Sequence, residues 1–204
     1  MAKIGLMGGT FNPIHNAHLR LAQAAYEYCC LDQVWFMPSG LSYLKKDLPV
    51  PSGDVRADMV KLAIRDIPYF SFCDLELQRP GNTYTADTLE ELTSLYPKNE
   101  FYFLMGADSA LSFPHWYHPE KIAALCTLGI VNRPGTEERS LCEMVDQLKF
   151  RFQARIVLIP FQEQPLSSSL VREKLQRGEA ADDLLPGPVA EYIRQNGLYM
   201  DLHF

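Results

Sequence analysis

From Lys3 to Ile159, short apolar runs rich in β-branched and aromatic residues alternate with longer stretches whose apolar residues recur every three or four positions. Such alternation builds a parallel sheet under helices, because each parallel connection needs a crossover and the crossover helix buries its apolar stripe on the sheet. The expected class is α/β. Strands are predicted at Lys3–Met7, Val34–Met37, Tyr69–Asp74, Phe101–Met105, Thr127–Val131 and Arg155–Ile159. The first is closed by the Gly8-Gly9 turn and the second by Pro38. Phe101–Met105 is almost wholly apolar, as a central strand covered on both faces should be.

Helices are predicted between the strands. One runs from Asn16 to about Cys30 with an apolar stripe of Leu19, Ala22, Tyr26 and Cys29, leaving Arg20, Gln23 and Glu27 outside. Another is N-capped by Asp54, carries Val55, Met59, Leu62 and Ala63, and ends before Pro68. Thr83–Leu95 is amphipathic through Leu89, Leu92 and Leu95; Pro119–Leu125 and Leu141–Phe150 are further helical stretches. Two more follow, one opening at serines 167 to 169 and stopping near Gly178, the other with Pro188 in its first turn and Gly197 just past its end. The segment Ser39–Gly53 has no periodicity and reads as a surface loop. No repeat or linker breaks the pattern, and the polar stretch Asn132–Ser140 is short enough to be a connection. One domain, 1–204, is expected.

Composition narrows the function. Nineteen Lys and Arg against 25 Asp and Glu give a net charge of −6, which argues against a nonspecific nucleic-acid coat and leaves room for a local cationic pocket. No apolar run of about 18 residues could span a membrane, and MAKIGLMGGTFNPIH meets glycine and proline too soon for a signal peptide. A cytoplasmic location is expected. Five cysteines without a C-x-x-C pair suit neither a disulfide framework nor a zinc site. Apolar helix faces serve core and interface alike, so no oligomeric state follows from them.

Chemistry concentrates in two places. Gly8-Gly9-Thr10-Phe11-Asn12-Pro13-Ile14-His15-Asn16-Ala17-His18 lies where the first strand passes into the first helix. Adjacent glycines allow positive φ and close approach of a ligand, and a helix N-terminus favours an anion. His15 and His18, three apart, should project to one side of the first turn and donate to a polyphosphate. Helical zinc pairs usually sit four apart with an acidic partner, so metal ligation is not expected of them. The second place is Leu166-Ser167-Ser168-Ser169-Leu170-Val171-Arg172. One serine suffices to cap a helix; three of them with an arginine fork make a second phosphate cradle.

The G-G-T-F-N-P-I-H-x-A-H and S-S-S-x-V-R runs resemble the two signature motifs of bacterial nicotinate mononucleotide adenylyltransferases, in the nucleotidylyltransferase superfamily. The likeness continues through Gly106-Ala107-Asp108, Trp116-Tyr117, Asn132-Arg133-Pro134-Gly135 and Asn196-Gly197-Leu198-Tyr199. It implies a Rossmann-like, doubly wound parallel sheet with helices on both faces. It also implies transfer of AMP from ATP to nicotinate mononucleotide, giving deamido-NAD and pyrophosphate without a covalent enzyme intermediate. On this resemblance His15, His18, Lys45 and Arg172 are catalytic. ATP would meet Gly8, Gly9, Thr10, Phe11, His15, His18, Asp108, Ser167, Ser168, Ser169 and Arg172, with Mg2+ carried on its phosphates. The mononucleotide would meet Asn12, Lys45, Tyr84, Thr85, Trp116 and Arg133, with Trp116 stacking on the pyridine and the Thr85 hydroxyl holding its carboxylate.

This chain departs from the family pattern at three points. Asn12 stands where Asp is usual, Ala17 where Gly is usual, and Pro38-Ser39-Gly40-Leu41-Ser42-Tyr43-Leu44-Lys45 replaces P-x-x-x-P-P-H-K. The last change keeps Lys45, with Lys46 as an alternative reach, and loses the stiff Pro-Pro-His segment. The competing readings are a superfamily member acting on nicotinamide mononucleotide or phosphopantetheine, and a nucleotide-binding regulator without catalysis.

Overall fold

A computed structural model describes residues 1–40, 50–131, 138–161 and 166–200, with the backbone alone at 138–140. In chain order the elements are β1 (Lys3–Gly9), α1 (Asn16–Tyr28), β2 (Gln33–Pro38), α2 (Gly53–Ile64), β3 (Phe70–Phe72), α3 (Leu75–Gln78) and α4 (Thr85–Leu95). There follow β4 (Glu100–Gly106), α5 (Ala107–Ser112), α6 (Pro119–Leu125), β5 (Thr127–Val131), α7 (Glu138–Phe152), β6 (Arg155–Ile159), α8 (Ser168–Gln176) and α9 (Gly187–Gln195).

The six strands form one sheet in the order β3-β2-β1-β4-β5-β6, and every neighbouring pair is parallel. The chain winds outward from β1 through β2 to β3, then returns to lay β4 on the other side of β1. Between β1 and β4 the connections leave in opposite directions, and the crevice at the carboxyl ends of those two strands is where open α/β sheets bind ligands.

The two-residue period of the strands sorts the core into two layers. Ile4, Leu6, Phe101, Phe103, Met105, Leu128 and Ile130 face α4, α5, α6 and α7. Met7, Val34, Phe36, Leu104 and Val131 face α1, α2, α8 and α9. Leu104, at the centre, uses space that its neighbours leave by lacking side chains. A Cβ on Gly5 of β1 would lie 3.2 Å from its Cδ1, and one on Gly129 of β5 would lie 2.8 Å from its Cδ2.

Several expected boundaries move, each for a local reason. Gly8 and Gly9 are the last residues of β1, paired with Met37 and Pro38 of β2, so the turn begins at Thr10. Their φ angles are not positive; Phe11 is the loop residue in the left-handed region, at φ 49°. Ser52 caps α2, accepting from Val55 N at 3.4 Å, and Asp54 lies inside the first turn. The third strand shortens to Phe70–Phe72 at the edge of the sheet, where among the described residues it pairs with β2 alone, and the chain then turns into α3, which has no apolar period to announce it. The α1 stripe centres on Ala17, Leu21, Ala22 and Ala25. Leu95 is 59% exposed, in the last turn of α4.

Candidate nucleotide site at the switch point

A cavity of about 540 Å³ opens over the carboxyl ends of β1 and β4. Gly8, Gly9, Thr10, Phe11, Asn12, His15 and His18 line it from one side, Ser167, Ser168, Ser169 and Arg172 from α8, and Tyr84, Thr85 and Trp116 from the far end. The two motifs, some 150 residues apart in sequence, thus meet in one place. Asp108 does not line the cavity. It is exposed in the first turn of α5, between Gly106 and Ser109, which do. Lys45 and Arg133, with the loop around Lys46, lie outside the described residues.

His15 is the N-cap of α1 and His18 its third residue. The backbone N–H of His15 donates to His18 Nδ1 at 3.2 Å, and the two rings stack with centroids 3.7 Å apart. An imidazole that accepts at Nδ1 carries its proton on Nε2 when neutral, which makes that nitrogen a donor. Phe11 fixes the pair from below: its ring is buried and meets His18 edge-on at 5.1 Å. Gly9 makes room for that ring, since a Cβ there would come within 3.3 Å of it.

The end of β1 and the loop from it to α1 are held through their carbonyls. Ser39 N donates to Gly9 O at 2.8 Å, Arg56 Nη1 to Thr10 O at 2.9 Å, Arg172 Nη1 to Asn12 O at 2.8 Å, and Ser168 Oγ to Pro13 O at 2.9 Å. Each engaged carbonyl is one acceptor fewer to repel a phosphate. Ser167 is the cap of α8, accepting from Leu170 N at 3.2 Å. Ser169 Oγ accepts from Arg172 Nη2 at 3.1 Å. Arg172 therefore spans two elements with the two arms of one fork.

Beneath the loop, the Tyr199 hydroxyl donates to Asn12 Oδ1 at 2.8 Å. Burial pushes the Tyr199 phenol well above its usual range, opposed by the nearby charges of Arg172 and Arg56. Burial likewise pulls the Arg56 guanidinium below its ordinary value, and Tyr199 works the other way. Sequence reasoning missed Arg56, although a signal was present: residues 56, 59, 60 and 63 form the buried i, i+3, i+4, i+7 stripe of α2, and the first is charged. It also missed Ser39, whose Oγ is buried at the cavity wall with no hydrogen-bond partner among the described residues, and Glu76 and Thr83.

The far end is aromatic. Trp116 is half-buried; its Nε1 donates to Ser112 Oγ at 3.1 Å, and its ring stands perpendicular to Phe103 with centroids 5.8 Å apart. Tyr84 and Tyr117 pack together, centroids 4.4 Å apart. Among the described residues no group of three or more His, Cys, Asp or Glu side chains is placed to hold a metal ion, and no helix is long and apolar enough to cross a membrane.

A family model for cytidylyltransferase-like proteins matches residues 6–174. A probable nicotinate-nucleotide adenylyltransferase of Dehalococcoides mccartyi is 41% identical over 198 residues, covering 97% of each chain. One from Lachnoclostridium phytofermentans is 38% identical over 200 residues, covering 98% of this chain and all of the relative. Among solved structures, the nicotinic acid mononucleotide adenylyltransferase of Plasmodium falciparum, complexed with NaAD, superposes with a TM-score of 0.81 at 22% identity over the whole of both chains. With sheet order, switch-point cavity and full-length relatives in agreement, the chain belongs to the nicotinate-nucleotide adenylyltransferase family of cytidylyltransferase-like proteins.

Proposed function

We infer that this chain transfers AMP from ATP to nicotinate mononucleotide within one domain, with the His15–His18 pair and the Ser167–Arg172 helix start acting on the triphosphate. The observation that carries the reading is the convergence of those two groups on one cavity whose other end is Trp116, Tyr84 and Thr85. A phosphate oxygen of the mononucleotide attacks the α-phosphorus of ATP; the new P–O bond forms as the bond to the bridging oxygen breaks, and pyrophosphate leaves with that electron pair. No enzyme nucleophile is needed, so catalysis is positioning and charge neutralisation.

In this reading the Nε2–H of His18, with His15 stacked on it, donates to the phosphate oxygens as charge builds. Arg172 and the hydroxyls of Ser167, Ser168 and Ser169 surround the β- and γ-phosphates. The backbone of Gly8 to Phe11 lies under the nucleotides, and Asp108 faces a ribose from the rim. Asn12 holds the mononucleotide side of the loop, with Lys45 and Arg133 reaching its phosphate. Trp116 stacks on the pyridine and Thr85 receives its carboxylate. Magnesium enters as part of the substrate, on the ATP phosphates: imidazole, hydroxyl and guanidinium donors fit anionic oxygens, not a cation. A cytoplasmic setting belongs to the same reading.

The test is pyrophosphate release with ATP and magnesium, comparing nicotinate mononucleotide, nicotinamide mononucleotide and phosphopantetheine as acceptors. Preference for the nicotinate compound is expected. Preference for another acceptor would remove the roles given to Thr85 and Trp116, and no turnover with any would favour a non-catalytic nucleotide-binding protein.

A further inference from the structure

We propose that Glu76 is a positioning residue for the mononucleotide, holding Tyr84 and Thr85 in place by accepting a hydroxyl hydrogen bond from Thr88, in the first turn of the helix that those two residues open. The proposal rests on the assignment of that end of the cavity to the mononucleotide. Glu76 belongs to α3, the short helix beyond the edge strand, yet it lines the cavity and is only 7% exposed. Thr88 Oγ1 donates to Glu76 Oε1 at 3.0 Å.

Thr88 has one hydroxyl proton, and Arg79 Nη1 donates to the same oxygen at 3.0 Å. That proton is therefore committed to Glu76, and the chain Arg79 to Thr88 to Glu76 runs in one direction. Arg79 is anchored in turn by Glu91, further along α4. Burial raises the Glu76 carboxyl above its ordinary value, against the opposing pull of the Thr88 and Thr83 bonds and of Arg79. A carboxylate kept where desolvation opposes it needs such partners, and Thr88 stands in the first turn of α4, three residues past Thr85.

The site has little slack on its other side. A Cβ at Gly40 would lie 2.6 Å from the Glu76 carbonyl oxygen and 3.0 Å from Thr83 Cγ2. The N-cap position of α4 is Tyr84, which lacks the short side-chain acceptor that usually fixes a helix start. Glu76, from another element, supplies the fixed point, and a carboxylate beside a helix N-terminus also suits the helix dipole.

The experiment is steady-state kinetics with each substrate varied, on Thr88→Val, Thr88→Ser, Glu76→Gln and Thr85→Ala, with thermal melting to verify folding. Thr88 does not line the cavity, so its variants reach the site only through the Arg79–Thr88–Glu76 clamp. Thr88→Val is expected to raise the mononucleotide KM roughly tenfold and leave the ATP KM within about twofold, while Thr88→Ser, which keeps the hydroxyl, restores the wild-type value. Glu76→Gln, with one acceptor left, should raise the same constant roughly threefold, and it carries the test if Thr88→Val does not fold. A raised mononucleotide KM in Thr85→Ala with none in Thr88→Val and Glu76→Gln overturns the clamp alone. An unchanged KM in Thr85→Ala overturns the pocket assignment and the clamp with it, and equal rises in both KM values reduce Glu76 to a fold element.

Discussion

Replacing Tyr199 by Phe removes one oxygen from beneath the loop between β1 and α1 and leaves the ring. The hydroxyl donates to Asn12 Oδ1 at 2.8 Å, with Tyr199 7% and Asn12 5% exposed, so water cannot easily replace it. A lost buried hydrogen bond with its acceptor left behind costs about 1–2 kcal/mol. In a chain of this size that lowers the melting temperature by about 3–6 °C. The backbone carbonyl of Asn12 is also the acceptor for Arg172, so kcat/KM for ATP should fall several-fold together with the melting temperature.

The assay is thermal unfolding by circular dichroism beside pyrophosphate release, at neutral pH and again at alkaline pH. Burial holds the native Tyr199 phenol protonated above its ordinary value, while in the unfolded chain it ionises near the usual tyrosine value of about 10. The native state thus binds more protons above that pH, and stability owed to Tyr199 is fully present below it and lost progressively as pH rises from there through the raised native value. The gap between wild type and Tyr199→Phe should accordingly narrow above about pH 10. A melting temperature within about 1 °C of wild type at neutral pH, or a gap that widens in alkali, would refute the reasoning.

His18→Ala should lower kcat by roughly a hundredfold and change the ATP KM by less than about threefold, because an imidazole donor acts where charge builds; an unchanged kcat removes it from the mechanism. Trp116→Ala should raise the mononucleotide KM roughly tenfold with the ATP KM nearly constant, and equal effects on both would indicate a packing role. Gly129→Ala should destabilise by about 1–3 kcal/mol in denaturant titration, since the new methyl meets Leu104 Cδ2 at 2.8 Å; no loss would mean that Leu104 can shift between its two neighbouring strands.

Much of this architecture was legible in one dimension because the physics is periodic or local. Strands Thr127–Val131 and Arg155–Ile159 and helix Pro119–Leu125 fall where composition and period place them. The His15–His18 geometry follows from a helix start at Asn16. What stayed hidden depends on distance along the chain. No local pattern marks the donation of Tyr199 to a residue 187 positions away, or of Arg56 to Thr10 O 46 positions back. Helix α3 spans only Leu75–Gln78, too short to show a helical period, and with it the carboxylate of Glu76 escaped notice. The glycines were misread in a different way: freedom in φ was expected of Gly8 and Gly9, whereas Gly9 serves by leaving space for the ring of Phe11.

The fastening of the loop between β1 and α1 has a consequence for synthesis. Its residues leave the ribosome well before most of their partners, because the groups that hold Thr10, Asn12 and Pro13 come from Arg56, Ser168, Arg172 and Tyr199. A nascent chain stalled after β6 can pair all six strands of its sheet, yet it lacks three of those four fastenings. On the proposed assignment of this loop to the triphosphate, the competence to hold it arrives late and nearly all at once, so that a prematurely terminated chain would be a sheet without a working loop and would not compete with the finished enzyme for ATP.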